Sequence, residues 1–289
     1  MAGSLALADV AVMAMAGPTH TRHVGLTRLI IGIGWTGAVI ICVVARPAAA
    51  YRPFDGTDAA VADLNEVEIE LQPAGRSQTG PQSTLVAPEV VYNYGFAERW
   101  EAVLQGQVET PLSPGGPSSL AATGAFLKYV VQPGVLQGRS GISIATEFGP
   151  LLPGINTDPG VGFSWAGIVS QRWDWGTAHF NVETNLTRDQ HGEAFLDLIL
   201  EGPSKWKVRP VLEMFYDKVW TRSESRSLLI GAIWQVKDEL SFDAAYRYAL
   251  VDGHAVNEIR AGLTFAFKVE SDKTSARPGV TFGNWGLSH

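Results

Sequence analysis

The residues Leu240-Ser-Phe-Asp-Ala-Ala-Tyr-Arg-Tyr248 alternate without a break. In an extended chain successive side chains point to opposite faces, so Leu240, Phe242, Ala244, Tyr246 and Tyr248 share one side while Ser241, Asp243 and Arg247 share the other. The next segment repeats the arrangement, with Ile259, Ala261, Leu263, Phe265 and Phe267 set against Glu258, Arg260, Thr264 and Lys268. Toward the N-terminus the same period recurs. Trp206, Val208, Leu212, Met214 and Tyr216 oppose Lys207, Arg209, Glu213 and Asp217; Ala178, Phe180, Val182 and Leu186 oppose His179, Asn181, Glu183 and Asn185. Ile142, Ile144 and Phe148 oppose Ser143 and Glu147, and Ala125, Leu127, Tyr129 and Val131 oppose Lys128. Trp100, Ala102, Leu104 and Val108 oppose Glu101, Gln105, Gln107 and Glu109. Val86, Val90, Tyr92 and Tyr94 read as one face against Glu89 and Asn93, and Val67, Ile69 and Leu71 alternate with Glu66, Glu68 and Glu70. Weaker segments near 163–171, 193–201 and 227–236 complete a set of about twelve strands, an even number that suits an up-and-down barrel.

A soluble barrel or sandwich also has period two, with its apolar face inward. Here only 18% of residues are charged, and aromatic residues gather at segment ends: Tyr92, Tyr94, Phe96 and Trp100; Trp165, Trp173 and Trp175; Trp206, Tyr216 and Trp220. Rings at strand ends form the girdles of lipid–water boundaries. The apolar face is therefore expected to point outward. A bilayer offers backbone groups no partners, so a chain without spanning helices crosses it only as a closed sheet. The predicted fold class is all-β, a membrane-spanning antiparallel up-and-down β-barrel. Long Pro/Gly-rich or polar connections (111–119, 150–160, 187–192) alternate with short ones (95–99, 173–176, 236–239) along much of the chain, as expected of two unlike rims.

The chain has 289 residues, 22 basic and 29 acidic, with 31 glycines, nine tryptophans and one cysteine, Cys42. With 46% hydrophobic residues it is no disordered chain, and one cysteine makes no disulfide framework. Residues 29–45 are uncharged and apolar, follow Arg22, His23 and Arg28, and precede Arg46-Pro-Ala-Ala-Ala-Tyr51, whose alanines suit a signal peptidase. Residues 1–50 are read as an N-terminal extension and cleaved signal peptide, against the alternative of a single membrane anchor. Cleavage removes Arg22, Arg28, Arg46, Asp9 and Cys42, so that 239 residues remain with 19 basic and 28 acidic side chains. Residues 51–63 read as a lead-in, 64–268 as the barrel, and 269–289 as a polar tail or a displaced closing strand.

If the apolar face meets lipid, the polar face lines a lumen. Its candidate residues are Glu68, Glu70, Glu89, Glu101, Lys128, Glu147, His179, Glu183, Arg209, Glu213, Arg247 and Arg260. Acids dominate the first strands and bases the last. Closure sets the last strand beside the first, so Arg247 or Arg260 is expected to face the glutamates near Glu68; the alternative is charges solvated separately in a wet pore. A carboxylate surplus favours cations and neutral solutes over anions, and a net charge of -7 argues against nucleic-acid binding. Chemistry is hard to find. His179 shares a face with Asn181, but no serine stands at the two-residue spacing that outer-membrane hydrolases use. His191 and His254 sit beside glycines, and no phosphate loop, His-x-x-x-His pair or Gly-x-Ser-x-Gly elbow occurs. Asp55, Asp58 and Asp63 read as solvated carboxylates rather than a metal site. No catalytic residue, metal or cofactor is expected.

The stretch Val86-Ala-Pro-Glu-Val-Val-Tyr-Asn-Tyr-Gly-Phe-Ala-Glu-Arg-Trp-Glu-Ala-Val-Leu-Gln-Gly-Gln-Val-Glu109 resembles a hairpin, strand then N-Y-G-x-x-x-R then strand, of the MetA-pathway phenol-degradation or transporter-like outer-membrane proteins. Arg52-Pro-Phe-Asp-Gly-Thr-Asp-Ala59 resembles the segment that follows their signal. The resemblance covers residues 51–268. It implies a small monomeric barrel, tied to pathways for aromatic compounds, that passes small apolar molecules. One departure concerns closure: such chains usually end on a terminal Phe, whereas here Phe267 is followed by 22 residues to His289.

These readings converge on an outer-membrane passive channel or uptake protein for small solutes, aromatic or hydrophobic ones among them, with the long loops gating its outer mouth. Its expected partners are outer-membrane lipid, the outer-membrane assembly machinery and the solute. The rival readings are an outer-membrane lipid hydrolase and a soluble periplasmic lipid-binding β-barrel.

Overall fold

A computed structural model describes residues 52–269. The expected signal peptide and residues 270–289 lie outside the described residues. Twelve strands follow in order: β1 (Glu66–Thr79), β2 (Gln82–Ala97), β3 (Trp100–Ser113), β4 (Ser119–Gln132), β5 (Ser143–Leu151), β6 (Gly162–Trp173), β7 (Gly176–Leu186), β8 (Gly192–Glu201), β9 (Val208–Val219), β10 (Ser223–Lys237), β11 (Leu240–Val251) and β12 (His254–Lys268). Each pairs antiparallel with its chain neighbours, and β12 pairs with β1 to close the barrel. Closure leaves no edge strand. Among the described residues the closing strand is His254–Lys268.

The sheet is inverted relative to a soluble barrel. Apolar side chains face out: Leu104 is 54% exposed, Ile230 53%, and Phe180 45%, while Glu213 on the opposite face is 0% exposed. Exposed Trp173, Trp175, Trp206 and Trp220 stand at strand ends. A bilayer rewards this arrangement, because the outer surface meets hydrocarbon and the polar face finds its partners inside.

The rim where β1 begins and β12 ends, the chain-end rim, holds the connections 98–99, 133–142, 174–175, 202–207 and 238–239; the opposite rim holds 80–81, 114–118, 152–161, 187–191, 220–222 and 252–253. The three loops read as long all lie on the opposite rim. That rim also carries three tight turns, however, and the chain-end rim carries the extended 133–142 connection with its 3-10 turn Val135–Gln137. The alternation of long and short is thus only partial.

Several strands carry bulges, and in β2 one changes which residues share a face. In β2 the pairing with β3 shifts between Val86 and Glu89, where β2 carries an extra residue. The bulge changes parity, so Val86 is buried on the inner face whereas Tyr92 is exposed on the outer one. Val86 and Tyr92 therefore do not share a face.

Candidate functional site: the plugged lumen

Residues 52–63 are not a solvated lead-in. They run inside the barrel, and Arg52, Asp55, Thr57, Asp58 and Ala59 are buried. The chain enters at the chain-end rim, where Asp63 pairs with Lys268 at 3.6 Å. Ala62 then donates its N–H to Glu101 at 2.5 Å, Ala59 to Ser170 at 2.9 Å and Thr57 to Asn181 at 3.3 Å. Asp55 and Gly56 both donate to Glu213 Oε1, at 2.7 and 2.9 Å. An extended segment without secondary structure leaves its N–H groups unpaired, and the barrel's inward side chains supply the missing acceptors.

Two apolar seats fix the path. Phe54 packs on Val211, Leu229, Ile233 and Ala245, and Ala59 packs with Ala145, Ala166 and Ile168. From the chain-end rim, Leu136 covers the second seat and Gln137 Nε2 donates to the Ala59 carbonyl at 2.8 Å. Gly56 passes so close to the wall that a Cβ there would lie 1.9 Å from Asp197 Oδ2.

The strongest anchor is a group of four charges. Asp55 accepts from Arg247 Nη1 at 2.9 and 3.0 Å and from Arg260 Nη2 at 2.8 Å. Glu258 accepts from Arg260 Nε at 2.6 Å and also from Arg247. Two guanidiniums and two carboxylates balance, which is what buried charge requires. Burial alone would raise the Asp55 pKa, but Arg247 and Arg260 together hold it below the usual carboxylate range. Asp58 differs: burial raises its pKa, and Lys128, at 3.9 Å, only partly opposes this. Arg52 ends the described segment, donating to Gln72 at 2.7 Å beside Glu89 and Asp243, each at 3.4 Å.

All twelve residues read as lumen-lining sit on the inner side of the wall, ten of them buried and Glu89 and Arg209 nearly so. The partners differ from the expectation. Arg247 and Arg260 meet Asp55 and Glu258 rather than the glutamates near Glu68, because the register sets Arg260 opposite Gly75 and Arg247 opposite Glu258, well along the strands from Glu68. Glu68 stands opposite Ala266. Asp55 and Asp58 are bonded and buried, and among the described residues no group of side chains is arranged to hold a metal ion.

His179 does have a serine, on the neighbouring strand. Ser170 is its cross-strand partner, with Oγ 2.8 Å from His179 Nδ1, and His179 Nε2 lies 3.2 Å from Glu201, which Arg209 also contacts at 3.2 Å. Spacing along one strand could not reveal a pair formed between two. The composition is that of a hydrolytic triad, but Ser170 is fully buried and its Oγ already accepts the Ala59 N–H. A nucleophile needs a substrate within reach. Here the chain of bonds holds the inserted segment.

Toward the opposite rim the lumen stays open as a vestibule of about 720 Å³. Val86, Val251, Val256 and Pro81 line it with Gln82, Thr84 and Gln107, and its floor is Glu89, Arg247, Glu258 and Arg260. Two of these floor residues, Arg247 and Arg260, hold Asp55 of the inserted segment. No family model matches the sequence, and no curated protein sequence matches it. Its fold is that of porin-like barrels. The outer membrane channel of the COG4313 group from Pseudomonas putida F1 superposes with a TM-score of 0.53 at 10% identity, over 74% of this chain and 100% of that one. The KdgM porin gives 0.45 at 10% identity over 69% and 99%, and the CymD monoaromatic hydrocarbon channel gives 0.43 at 9% identity over 74% and 90%.

Proposed function

We propose that the protein is an outer-membrane channel for small solutes, aromatic and other weakly polar ones among them, whose passage is gated by residues 52–63. The observation that carries this reading is the inserted segment itself: the described lumen is obstructed by an irregular strand of chain held only by hydrogen bonds, ion pairs and two apolar seats. Such a segment can leave without unfolding the barrel, since none of the ladder pairs passes through it. The vestibule supports the solute class, with apolar walls, hydrogen-bonding amides and a volume suited to one or a few small molecules. Its carboxylates Glu89, Glu109, Asp252 and Glu258 outnumber Arg247 and Arg260, which favours neutral or cationic solutes over anions.

Locking the segment tests the reading. In Gly56→Cys/Asp197→Cys the two side chains meet where the Gly56 Cβ would touch Asp197, within the reach of a disulfide. Oxidation is expected to abolish conductance in planar bilayers and reductant to restore it. Equal conductance in the two redox states would overturn the gating role.

A further inference from the structure

The end of the inserted segment carries four chemical groups in succession, and the barrel holds each of them separately. The Arg52 guanidinium lies over Gly262 and stands 3.4 Å from both Glu89 and Asp243. The Pro53 carbonyl accepts from Arg260 Nη1 at 2.9 Å. The Phe54 ring packs on Val211, Leu229, Ile233 and Ala245, and the Asp55 carboxylate accepts from Arg247 Nη1 and Arg260 Nη2. A cation, a peptide carbonyl, an aromatic ring and a carboxylate are bound in that order. Three of the residues that bind them, Glu89, Arg247 and Arg260, also line the vestibule, so a solute lying there faces the same groups.

The segment does not use up these groups. Arg247 Nε and Asp243 Oδ1 are buried and have no hydrogen-bond partner among the described residues, which leaves a spare donor beside the carboxylate and a spare acceptor beside the cation. Buried polar atoms in that state cost free energy until something bonds to them. Withdrawal of the segment deepens the deficit on both sides. Glu89 and Asp243 lose Arg52, while Arg247 and Arg260 lose Asp55 and are left to share Glu258. A replacement therefore needs one positive and one negative end. Gly262, beneath Arg52, and Arg260, which holds Asp55, are two residues apart on β12, about 7 Å along a strand. Two extended peptide residues span about the same 7 Å. We propose that the vestibule floor is a binding site for a short zwitterionic peptide, a dipeptide with an aromatic or apolar side chain next to its carboxylate, which takes the place of residues 52–55. Its ammonium meets Glu89 and Asp243, its carbonyl Arg260, its side chain the Phe54 seat, and its carboxylate Arg247 and Arg260. Such a ligand is neutral overall, so the carboxylate surplus of the vestibule does not repel it. Peptide and segment exclude one another, and binding shifts the population toward the withdrawn segment. That the peptide opens the channel rests on the gating role of residues 52–63, whereas its binding rests on the floor alone.

Alanyl-phenylalanine presents the four groups in the order of the segment. Equilibrium dialysis of the radiolabelled dipeptide measures binding to the purified protein, and open probability is recorded in planar bilayers with the dipeptide on the vestibule side. Blocking either end removes a charge-assisted contact, so N-acetyl-alanyl-phenylalanine and alanyl-phenylalanine amide are each expected to bind about tenfold or more weakly. In Gly56→Cys/Asp197→Cys the oxidised lock keeps the segment in the site and is expected to abolish binding, which reductant restores. On the wild type the dipeptide is expected to raise open probability at a concentration where neither blocked derivative does. No binding to the wild type, equal binding of a blocked derivative, or binding indifferent to the lock overturns the proposal. The channel reading is decided separately, by the redox response of conductance without peptide. Binding in the expected pattern with no change in open probability upholds the site and counts against the gate.

Discussion

Asp55 carries more of the gate than any other side chain, because two guanidiniums converge on it while Glu258 alone cannot neutralise both. Asp55→Asn leaves one buried positive charge without a counter-ion, and losing one member of a buried ion pair typically costs about 3–5 kcal/mol. The variant is expected to conduct far more of the time than the parent in single-channel recordings. Asp58→Asn keeps the acceptor for the Ala60 N–H and removes a charge that burial already disfavours, so its gate is expected to stay closed. The same contrast fixes a pH effect. Because the docked Asp55 has a depressed pKa, its contribution to closure is complete above the undocked value of about 3.9 and is lost as pH falls through that value toward the docked one. The Asp58 shift, upward, has the opposite sign, but one ammonium at 3.9 Å opposes it where two guanidiniums act on Asp55 at hydrogen-bond distance. Wild-type open probability is expected to rise between pH 5 and pH 3, and Asp55→Asn, already open, to lose most of that rise.

At the scale of elements, β10 explains why the inserted segment escapes a reading by periodicity. Leu228, Ile230 and Trp234 are exposed on the outer face, yet Leu229 and Ile233 are also apolar and fully buried on the inner one. A strand facing water inside has no use for them. They are the seat of Phe54, and an apolar inner face was the one signal that something apolar occupies the lumen. Residues 52–63 have no period of their own, because their conformation is imposed by partners on nearly every strand. The strands were legible for the converse reason: hydrocarbon outside and polar partners inside enforce alternation residue by residue. The Ser170–His179 pair was not, since a cross-strand contact depends on register. If the seat matters, Phe54→Ala removes packing worth roughly 1–3 kcal/mol for a partly buried ring. It is expected to raise conductance less than Asp55→Asn does, and to leave thermal unfolding of the barrel unchanged.

For the whole molecule, the inverted sheet separates two kinds of stability that a soluble domain combines. The ladder and its lipid-facing side chains hold the barrel, whereas the polar interior mostly holds the segment within it. Substitutions should therefore divide by face rather than by depth of burial. Ile230, 53% exposed and near the middle of β10, is the sharpest case. In a soluble protein an exposed isoleucine could become arginine at little cost. Here Ile230→Arg places a charge against hydrocarbon, where arginine on the lipid face near the midplane costs about 2–4 kcal/mol. Glu213→Gln, by contrast, changes a fully buried residue, yet it keeps an acceptor for the Asp55 and Gly56 N–H groups and touches no ladder bond. Folding into phospholipid vesicles, followed by the heat-dependent mobility shift of barrels in detergent gels, checks both. Ile230→Arg is expected to lower the folded fraction in denaturant titrations and Glu213→Gln to leave it at the parent value; the reverse order would mean that the apolar face does not meet lipid.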